Sequence, residues 1–234
     1  MTFPDASAWP PPFSVRVSSK ARHPRLRILP GSGLEVVLPR TVPLETATMI
    51  VEHHKDWVQK SLTRMCDSGP DAQIGGLPDR VCLCGGADER RIICKGEEID
   101  SPGVIRLLAD RDDISTALRE LRDWTRNHAA SVLGRETERL AESHALPYAS
   151  LRFRRQKSRW GSCSAKGVLN LNICLIFLPL DMTRHVIMHE LAHTRHMNHG
   201  QNFWKLLFAM EPNALQLDKR LRVAWRFVPG WIWS

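Results

Sequence analysis

In the first third of the chain, apolar positions alternate with polar ones in short runs. From Val15 onward the pattern is typical of strands, and a turn at residues 30–33 separates two of the runs. Alternating apolar residues flank this turn: Leu26, Ile28, Leu34, Val36 and Leu38. The pattern predicts a β-hairpin. Residues 43–65 then change to a helical spacing, with one broad apolar face: Ile50, Val51, Trp57, Val58 and Leu62.

Proline and glycine divide the rest of this half. Residues 1–13 contain four prolines and little that can pack, so we expect a disordered lead. Residues 66–103 are rich in Gly, Pro and Cys, with short strands expected around Val81–Cys84 and Arg91–Lys95. We therefore expect residues 14–111 to be the β-rich part of the chain.

The longest predicted element opens the second half. Apolar residues recur at spacings of three and four between residues 113 and 144, which predicts a long helix. Asp112 or Asp113 can cap its first turn, and Pro147 ends it.

Two strands and two shorter helices are predicted to follow. Residues 151–159 and 167–176 have strand-like patterns and are joined by a glycine-containing turn. Helices are expected over residues 182–197 and 202–210. The tail at residues 225–233 is aromatic and is expected to pack on the core. Together these elements predict an α+β fold.

The composition is typical of a soluble globular protein. Hydrophobic residues make up 43% and charged residues 25% of the 234 residues. No segment approaches the roughly 20 apolar residues of a membrane helix, and the start lacks a signal-peptide pattern. We therefore expect a cytoplasmic protein with no membrane partner. The net charge of +8 favours acidic partners in general.

The six cysteines are expected to be thiols, because they are dispersed in a chain without an export signal. Cys82 and Cys84 form a CxC pair that could be half of a metal site. No second cluster follows them at zinc-finger spacing, so structural thiols are the preferred interpretation.

The strongest chemical signal is the HExxH sequence of His189, Glu190 and His193. Residues four apart share one helix face, so both imidazoles can reach one ion at about 2.0–2.1 Å. Glu190 lies about 100° round the helix axis, where it can hydrogen-bond a water held by the metal, as a general base must. The surrounding residues are apolar, and two buried histidines beside a buried glutamate are costly unless a metal pairs them.

Catalytic zinc usually has three protein ligands, and four residues are candidates for the third: His185, His196, His199 and Glu211. His185 and His196 lie too far along the helix axis from an ion held by the motif, because each residue adds about 1.5 Å. Asn198 suits the left-handed turn that ends a helix, so His199 can fold back toward the ion. His199 is the preferred ligand, and Glu211 remains an alternative.

A run of basic residues precedes the motif: Arg152, Arg154, Arg155, Lys157 and Arg159. On a strand, Arg155, Lys157 and Arg159 would share one face. One interpretation is a solvated edge strand that its charge protects from aggregation. The other is a positive wall beside the cleft that contacts nucleic acid or a phosphorylated substrate.

Further segments match a known family: RWGSCS at 159–164, LNLN at 169–172, Pro179, HELAH at 189–193, NHG at 198–200 and FW at 203–204. With them the sequence resembles the YgjP-like metallopeptidase domain family, a relative of SprT-like and WLM zinc proteases, over most of residues 15–210. The resemblance implies one Zn²⁺ per chain at His189, His193 and His199, with Glu190 catalytic. Gly200, where members often carry Ser, should be neutral for the metal.

The resemblance also implies a minimal zincin-like core, in which a small sheet with antiparallel strands lies beside the HExxH helix. We therefore expect a single domain over residues 14–234, with this core in residues 112–234. Arg159, Trp160, Gly161 and Ser162 are expected to line the cleft and bind an extended substrate. Alternatively, their segment is a packed strand and turn with Trp160 in the core.

The predicted function is a zinc-dependent metallopeptidase acting on a peptide or protein through an activated water. The alternative is a metal-dependent nucleotide phosphohydrolase that uses the same water, with the basic run holding phosphate. An acidic or nucleic-acid-associated partner accompanies this alternative. A binding module with a structural metal is a third possibility, but it would not need Glu190 beside the ligands.

Overall fold

The structure is a computed structural model, and it describes four ranges of the chain: 9–29, 33–66, 76–98 and 103–233. The chain divides into two compact units, Met1–Gly76 with Pro229–Ser234 and Leu77–Val228. Both contain helices and small sheets, which confirms the α+β class. No helix in the described ranges is long and apolar enough to cross a membrane.

The first unit is a three-stranded sheet with two helices: β1 (Phe13–Ser18), β2 (Arg25–Leu29), β3 (Gly33–Pro39), α1 (Thr46–His53) and α2 (Lys55–Cys66). The central strand β3 pairs antiparallel with β2 and parallel with β1. The predicted hairpin is therefore confirmed, although its turn at 30–32 lies outside the described residues. Strand β3 and the helices share an apolar core: Leu34, Val36, Leu38, Ala47, Val51 and Val58.

Three expectations for this unit are corrected. The single helix predicted over residues 43–65 is interrupted at His54, whose φ of −106° and ψ of 26° leave the helical region. Trp57, expected on the apolar face, is 45% exposed. In the predicted disordered lead, residues 1–8 lie outside the described residues, but Trp9 and Phe13 are partly buried against the core of this unit.

In its described residues, the second unit has ten strands and α-helices: β4 (Arg80–Leu83), β5 (Asp88–Ile93), β6 (Ile105–Arg106), α3 (Ile114–Ser143), β7 (Ser150–Arg154), β8 (Gly161–Cys163), β9 (Val168–Asn172), α4 (Leu180–Ala192), α5 (Gln201–Met210) and α6 (Ala214–Leu221). Strands β4, β5 and β6 form one sheet, and β7, β9 and β8 form another in that order. The long helix α3 is confirmed, with the Asp113 carboxylate accepting from the Thr116 N–H. The boundary expected between residues 111 and 112 falls inside this unit.

The strand predicted over residues 151–159 ends early, at Arg154. It pairs parallel with β9, whereas the hairpin is formed by the separate strand β8, which pairs antiparallel with β9. Basic residues 155–159 therefore lie in the connection between β7 and β8 and do not share a strand face. The buried Asn172 holds this connection, because its Nδ2 donates to the carbonyls of Gln156 and Arg159 at 2.6 and 2.9 Å.

Other predicted ends also shift. Strand β9 stops at Asn172, and residues 173–177 form a 3₁₀ turn. The motif helix α4 ends at Ala192 rather than at residue 197, and the Thr194 N–H bonds the Leu191 carbonyl in a tight turn. Helix α5 is confirmed. In the aromatic tail, Trp231 is buried.

Candidate metal centre

The side chains of His189, His193 and His199 converge. One ring nitrogen of each lies within 4.8 Å of the others. The Nε2 atoms of His189 and His199 are 3.0 Å apart. His189 is on the last turn of α4, His193 caps that helix, and His199 lies just before α5. The structure therefore brings together all three residues that the sequence singled out as ligands.

The early end of α4 makes this convergence possible. His189 and His193 are one helical turn apart and so share a face. The chain then turns sharply, and the Asn198 side chain accepts from the Gly200 N–H at 3.3 Å. This turn returns His199 to the end of the helix that carries the other two histidines.

Phe203 is a contributor that the residue-by-residue argument missed. Its ring is fully buried, and its centroid lies 5.0, 4.6 and 4.7 Å from those of His189, His193 and His199. This apolar ring packs against all three imidazoles and limits their rotation. In the sequence, Phe203 is indicated by the FW pair at 203–204, one of the segments that carry the family resemblance.

The other ligand candidates lie elsewhere. His196 contributes its carbonyl, which is 3.0 Å from the Nδ1 of His193. His193 donates there, and this leaves its Nε2 as the nitrogen with a free lone pair. The Nε2 of His185 is 2.9 Å from Asp218. The Glu211 carboxylate accepts from the Asn213 N–H at 3.1 Å.

Burial favours the neutral form of two of the imidazoles, His189 and His193. Desolvation, with the nearby His193 and His199, lowers the pKa of His189 to about 4, against the opposing charge of Asp218. Desolvation also lowers the pKa of His193. The neutral imidazole is the form that binds a metal, so the site needs no proton release from His189 near neutral pH.

Glu190 lies beside the histidines and is 6% exposed. Burial raises the pKa of its carboxyl to about 7, although the charge of Arg159 acts in the opposite direction. Its Oε2 is buried and has no hydrogen-bond partner among the described residues. A buried carboxylate oxygen without a donor is costly. Such a group at the edge of a histidine cluster is a candidate for a functional position.

Strand β8 runs past this carboxylate. A Cβ at Gly161 would lie 2.6 Å from the Oε1 of Glu190, so only glycine fits without a shift. Within the described residues, β8 pairs with β9 alone and is an edge strand. Ser162 Oγ accepts weakly from Asn170 Nδ2 at 3.4 Å. Trp160 is half-buried and stacks on Trp225 with 3.8 Å between ring centroids.

The CxC pair does not join a metal cluster. In the part of the chain that the structure describes, the candidate clusters are His189, His193, His199 and His185, His189, Asp218. Cys82 and Cys84 are not disulfide-bonded. Burial raises the pKa of Cys84, which disfavours the thiolate that a metal would bind.

Sequence comparison now identifies the chain. The pattern of the YgjP-like metallopeptidase domain matches residues 22–224. The chain belongs to the YgjP-like metallopeptidase family. This membership supports a metal-dependent peptidase, and the resemblance that the sequence motifs carried is confirmed. No curated protein matches the sequence significantly.

Among solved structures, this YgjP-like protein is similar to two metallopeptidase zymogens. Abylysin of Pyrococcus abyssi is 21% identical with a TM-score of 0.36, and the match covers 38% of this chain and 90% of abylysin. Jannalysin of Methanocaldococcus jannaschii is 18% identical with a TM-score of 0.35, over 38% of this chain and 93% of jannalysin. Likeness at this level identifies neither a substrate nor a site.

Proposed function

We propose that this protein is a zinc-dependent metallopeptidase in which His189, His193 and His199 hold one zinc ion and Glu190 is the catalytic base. The observation that carries the proposal is the convergence of three imidazoles beside a buried carboxylate with an unpaired oxygen. Three protein ligands with one open position are typical of catalytic zinc, and a structural site would have four.

The residues fit this ion. Imidazole nitrogen is a preferred zinc ligand, and burial favours the neutral form of His189 and His193. The bond from His193 Nδ1 to the His196 carbonyl fixes the ring so that Nε2 faces the cluster. The orphaned Oε2 of Glu190 is accounted for if it accepts a hydrogen bond from a water at the open position.

The chemistry divides between the ion and Glu190. Zinc, when bound, supplies Lewis acidity that makes a water more acidic and polarises a carbonyl group. Glu190 takes the proton of the attacking water and then delivers it to the nitrogen of the leaving amine. A carboxyl whose pKa is raised to about 7 is suited to both transfers near neutral pH.

The edge of β8 suits an extended peptide. The unpaired side of this strand offers backbone donors and acceptors beside Glu190, and a peptide can add to it as a further strand. Gly161 allows close approach at the carboxylate, and Arg159, Trp160 and Ser162 flank it. On this proposal, the substrate lies between the edge of β8 and the three histidines, which is a zincin-like arrangement.

A nucleotide phosphohydrolase is the second candidate, and one observation favours it. The charge of Arg159 acts on Glu190, so the basic connection 155–159 is electrostatically coupled to the site. Phosphate could be held there by Arg159 and its neighbours, with an acidic or nucleic-acid-associated partner as the source. The same proton transfer by Glu190 would serve attack on phosphorus.

One assay separates the two functions. Zinc-loaded protein is incubated with an unfolded protein and a peptide library, and in parallel with nucleoside triphosphates. We expect peptide cleavage that is lost in Glu190→Gln, which keeps its zinc. Triphosphate turnover without peptide cleavage, lost in the same variant, would replace the peptidase with the second candidate. Peptide cleavage undiminished in Glu190→Gln would contradict the proposed base.

A further inference from the structure

His189 belongs to two side-chain clusters at once. Its Nε2 faces the Nε2 of His199 at 3.0 Å, on the side of the proposed zinc site. A ring nitrogen of His189 is also within 4.8 Å of a carboxylate oxygen of Asp218 and a ring nitrogen of His185. The two nitrogens of an imidazole point in different directions, so Nδ1 is the nitrogen that remains for Asp218 once Nε2 binds a metal.

The Asp218 carboxylate is held from the opposite side. His185 is fully buried one turn before His189 on α4, and its Nε2 is 2.9 Å from Oδ1 of Asp218 on α6. The Nδ1 of His185 is buried without a partner among the described residues. The proton therefore sits on Nε2, which donates to the carboxylate. His185 thus fixes the position of Asp218 without competing for His189.

We propose that Asp218 is a positioning residue for His189: its carboxylate, held by His185, accepts from the Nδ1–H of His189 when Nε2 binds zinc. This inference rests on the proposed zinc site. Such a bond fixes the tautomer and the orientation of the ring and strengthens it as a ligand.

A second metal ion at His185, His189 and Asp218 is the competing explanation. It would have to break the bond between His185 and Asp218, whose donor and acceptor already satisfy each other. The second ion would also lie next to the first, because both would bind His189, and the two positive charges would repel each other. The measured number of zinc ions per chain decides between them: one is expected, and two would overturn the positioning role.

The chain contains a matched control. Asp181 on α4 forms an ion pair with Arg220 on α6, so it links the same two helices as His185 and Asp218. It is half exposed and is not a member of either histidine cluster. Asp181→Asn therefore tests the loss of a helix-to-helix contact, whereas Asp218→Asn also removes the charge beside His189.

The experiment measures zinc affinity by chelator competition and records the visible spectrum of the cobalt-loaded proteins. We expect Asp218→Asn to weaken zinc binding about 10- to 100-fold and to change the cobalt bands. Asp181→Asn should do neither. Equal affinities in the two variants, whether both unchanged or both reduced, would overturn the inference.

Two further measurements keep the outcomes distinct. If His193→Ala and His199→Ala lose zinc while Asp218→Asn binds it normally, the zinc site stands and only this inference fails. If those two variants keep zinc, the proposed function itself fails. A measurement on the unaltered protein needs no variant to fold: ¹⁵N NMR of the zinc-loaded form should show a His189 Nδ1 proton protected from exchange, and an unprotected proton would overturn the inference.

Discussion

Gly161 lies directly against Glu190, and a Cβ at position 161 would come within 2.6 Å of the carboxylate oxygen Oε1. This distance is shorter than real Cβ contacts, so a larger residue must displace either the edge strand or the Glu190 carboxylate. The link between the RWGSCS segment and the HExxH motif is therefore a steric one. It couples the placement of β8 to the placement of the Glu190 carboxylate.

Gly161→Ala is expected to reduce turnover by about tenfold or more, because a displacement of about 1 Å at a catalytic group has a large effect on rate. Overpacking of this kind also destabilises by about 1–3 kcal/mol. The control is Gly134→Ala on α3, where the nearest neighbour, Phe153 Cζ, would be 3.9 Å away. That substitution should raise stability by about 0.5–1 kcal/mol and leave turnover unchanged. Equal effects of the two variants on turnover would contradict the steric link.

In the metal-free protein, Glu190 and His189 should contribute to the pH dependence of stability with opposite signs. The pKa of Glu190 is raised to about 7 in the folded protein. Its contribution to the free energy of unfolding is therefore present at low pH and is lost as pH rises from about 4.5 to 7. The lowered pKa of His189, about 4, means that stability is gained as pH rises from about 4 to 6.5. The two contributions largely cancel in the unaltered protein.

Glu190→Gln removes one of these contributions. Its stability should therefore rise with pH between 4.5 and 6.5 more steeply than that of the unaltered protein, by up to about 3 kcal/mol over this window. Urea unfolding of the metal-free proteins at several pH values measures the difference. Glu142→Gln, which changes an exposed carboxyl on α3, is the control and should follow the unaltered protein. Parallel profiles for both variants would contradict a raised pKa at Glu190.

The third ligand is tested by two histidines in the same turn. His199→Ala should lose zinc readily to a chelator, because two imidazoles remain to hold the ion. His196→Ala should keep it, since the contact of His196 with His193 is made by the backbone carbonyl, which alanine retains. Chelator competition with both variants gives the answer. Loss of zinc from His196→Ala, with zinc retained by His199→Ala, would show that His199 is not the third ligand.

We expect Asn172 to affect substrate binding, because it holds the basic connection at residues 155–159 in place. Asn172→Ala leaves the carbonyls of Gln156 and Arg159 without their donor, at a cost of about 1–3 kcal/mol. Because this connection leads into β8, KM should rise more than kcat falls. Asn170→Ala, on the same strand, loses only a 3.4 Å contact with Ser162 and should change both values little. A lower kcat with unchanged KM in Asn172→Ala would contradict this role.

Much of the site could be predicted because its determinants are local. The spacing of His189 and His193 places both imidazoles on one helix face whatever the rest of the fold does. His199 follows them closely enough that a single turn decides its position. The hairpin of β2 and β3 and the helix α3 were likewise predictable. The spacing of apolar residues along a short segment shows which face of a strand or helix is buried, and that spacing can be seen in the sequence.

The predictions were wrong where hydrogen bonds override the local pattern of apolar and polar positions. Residues 155–159 look like the end of a strand, but Asn172 draws their carbonyls into a connection instead. Helix α4 stops at Ala192 although the residues after it continue a helical pattern. Backbone groups take the partners that tertiary structure brings near, and sequence patterns do not specify those partners.

The sequence by itself determined which chemistry is present: three imidazoles, a carboxylate beside two of them, and membership in a metallopeptidase family. Only the tertiary structure decided how that chemistry is arranged. Gly161 against Glu190 and the bond of His185 to Asp218 join segments 29 and 33 residues apart. Such contacts depend on how strands and helices pack in space, whereas the periodicity of a sequence reports only which face of each element is buried.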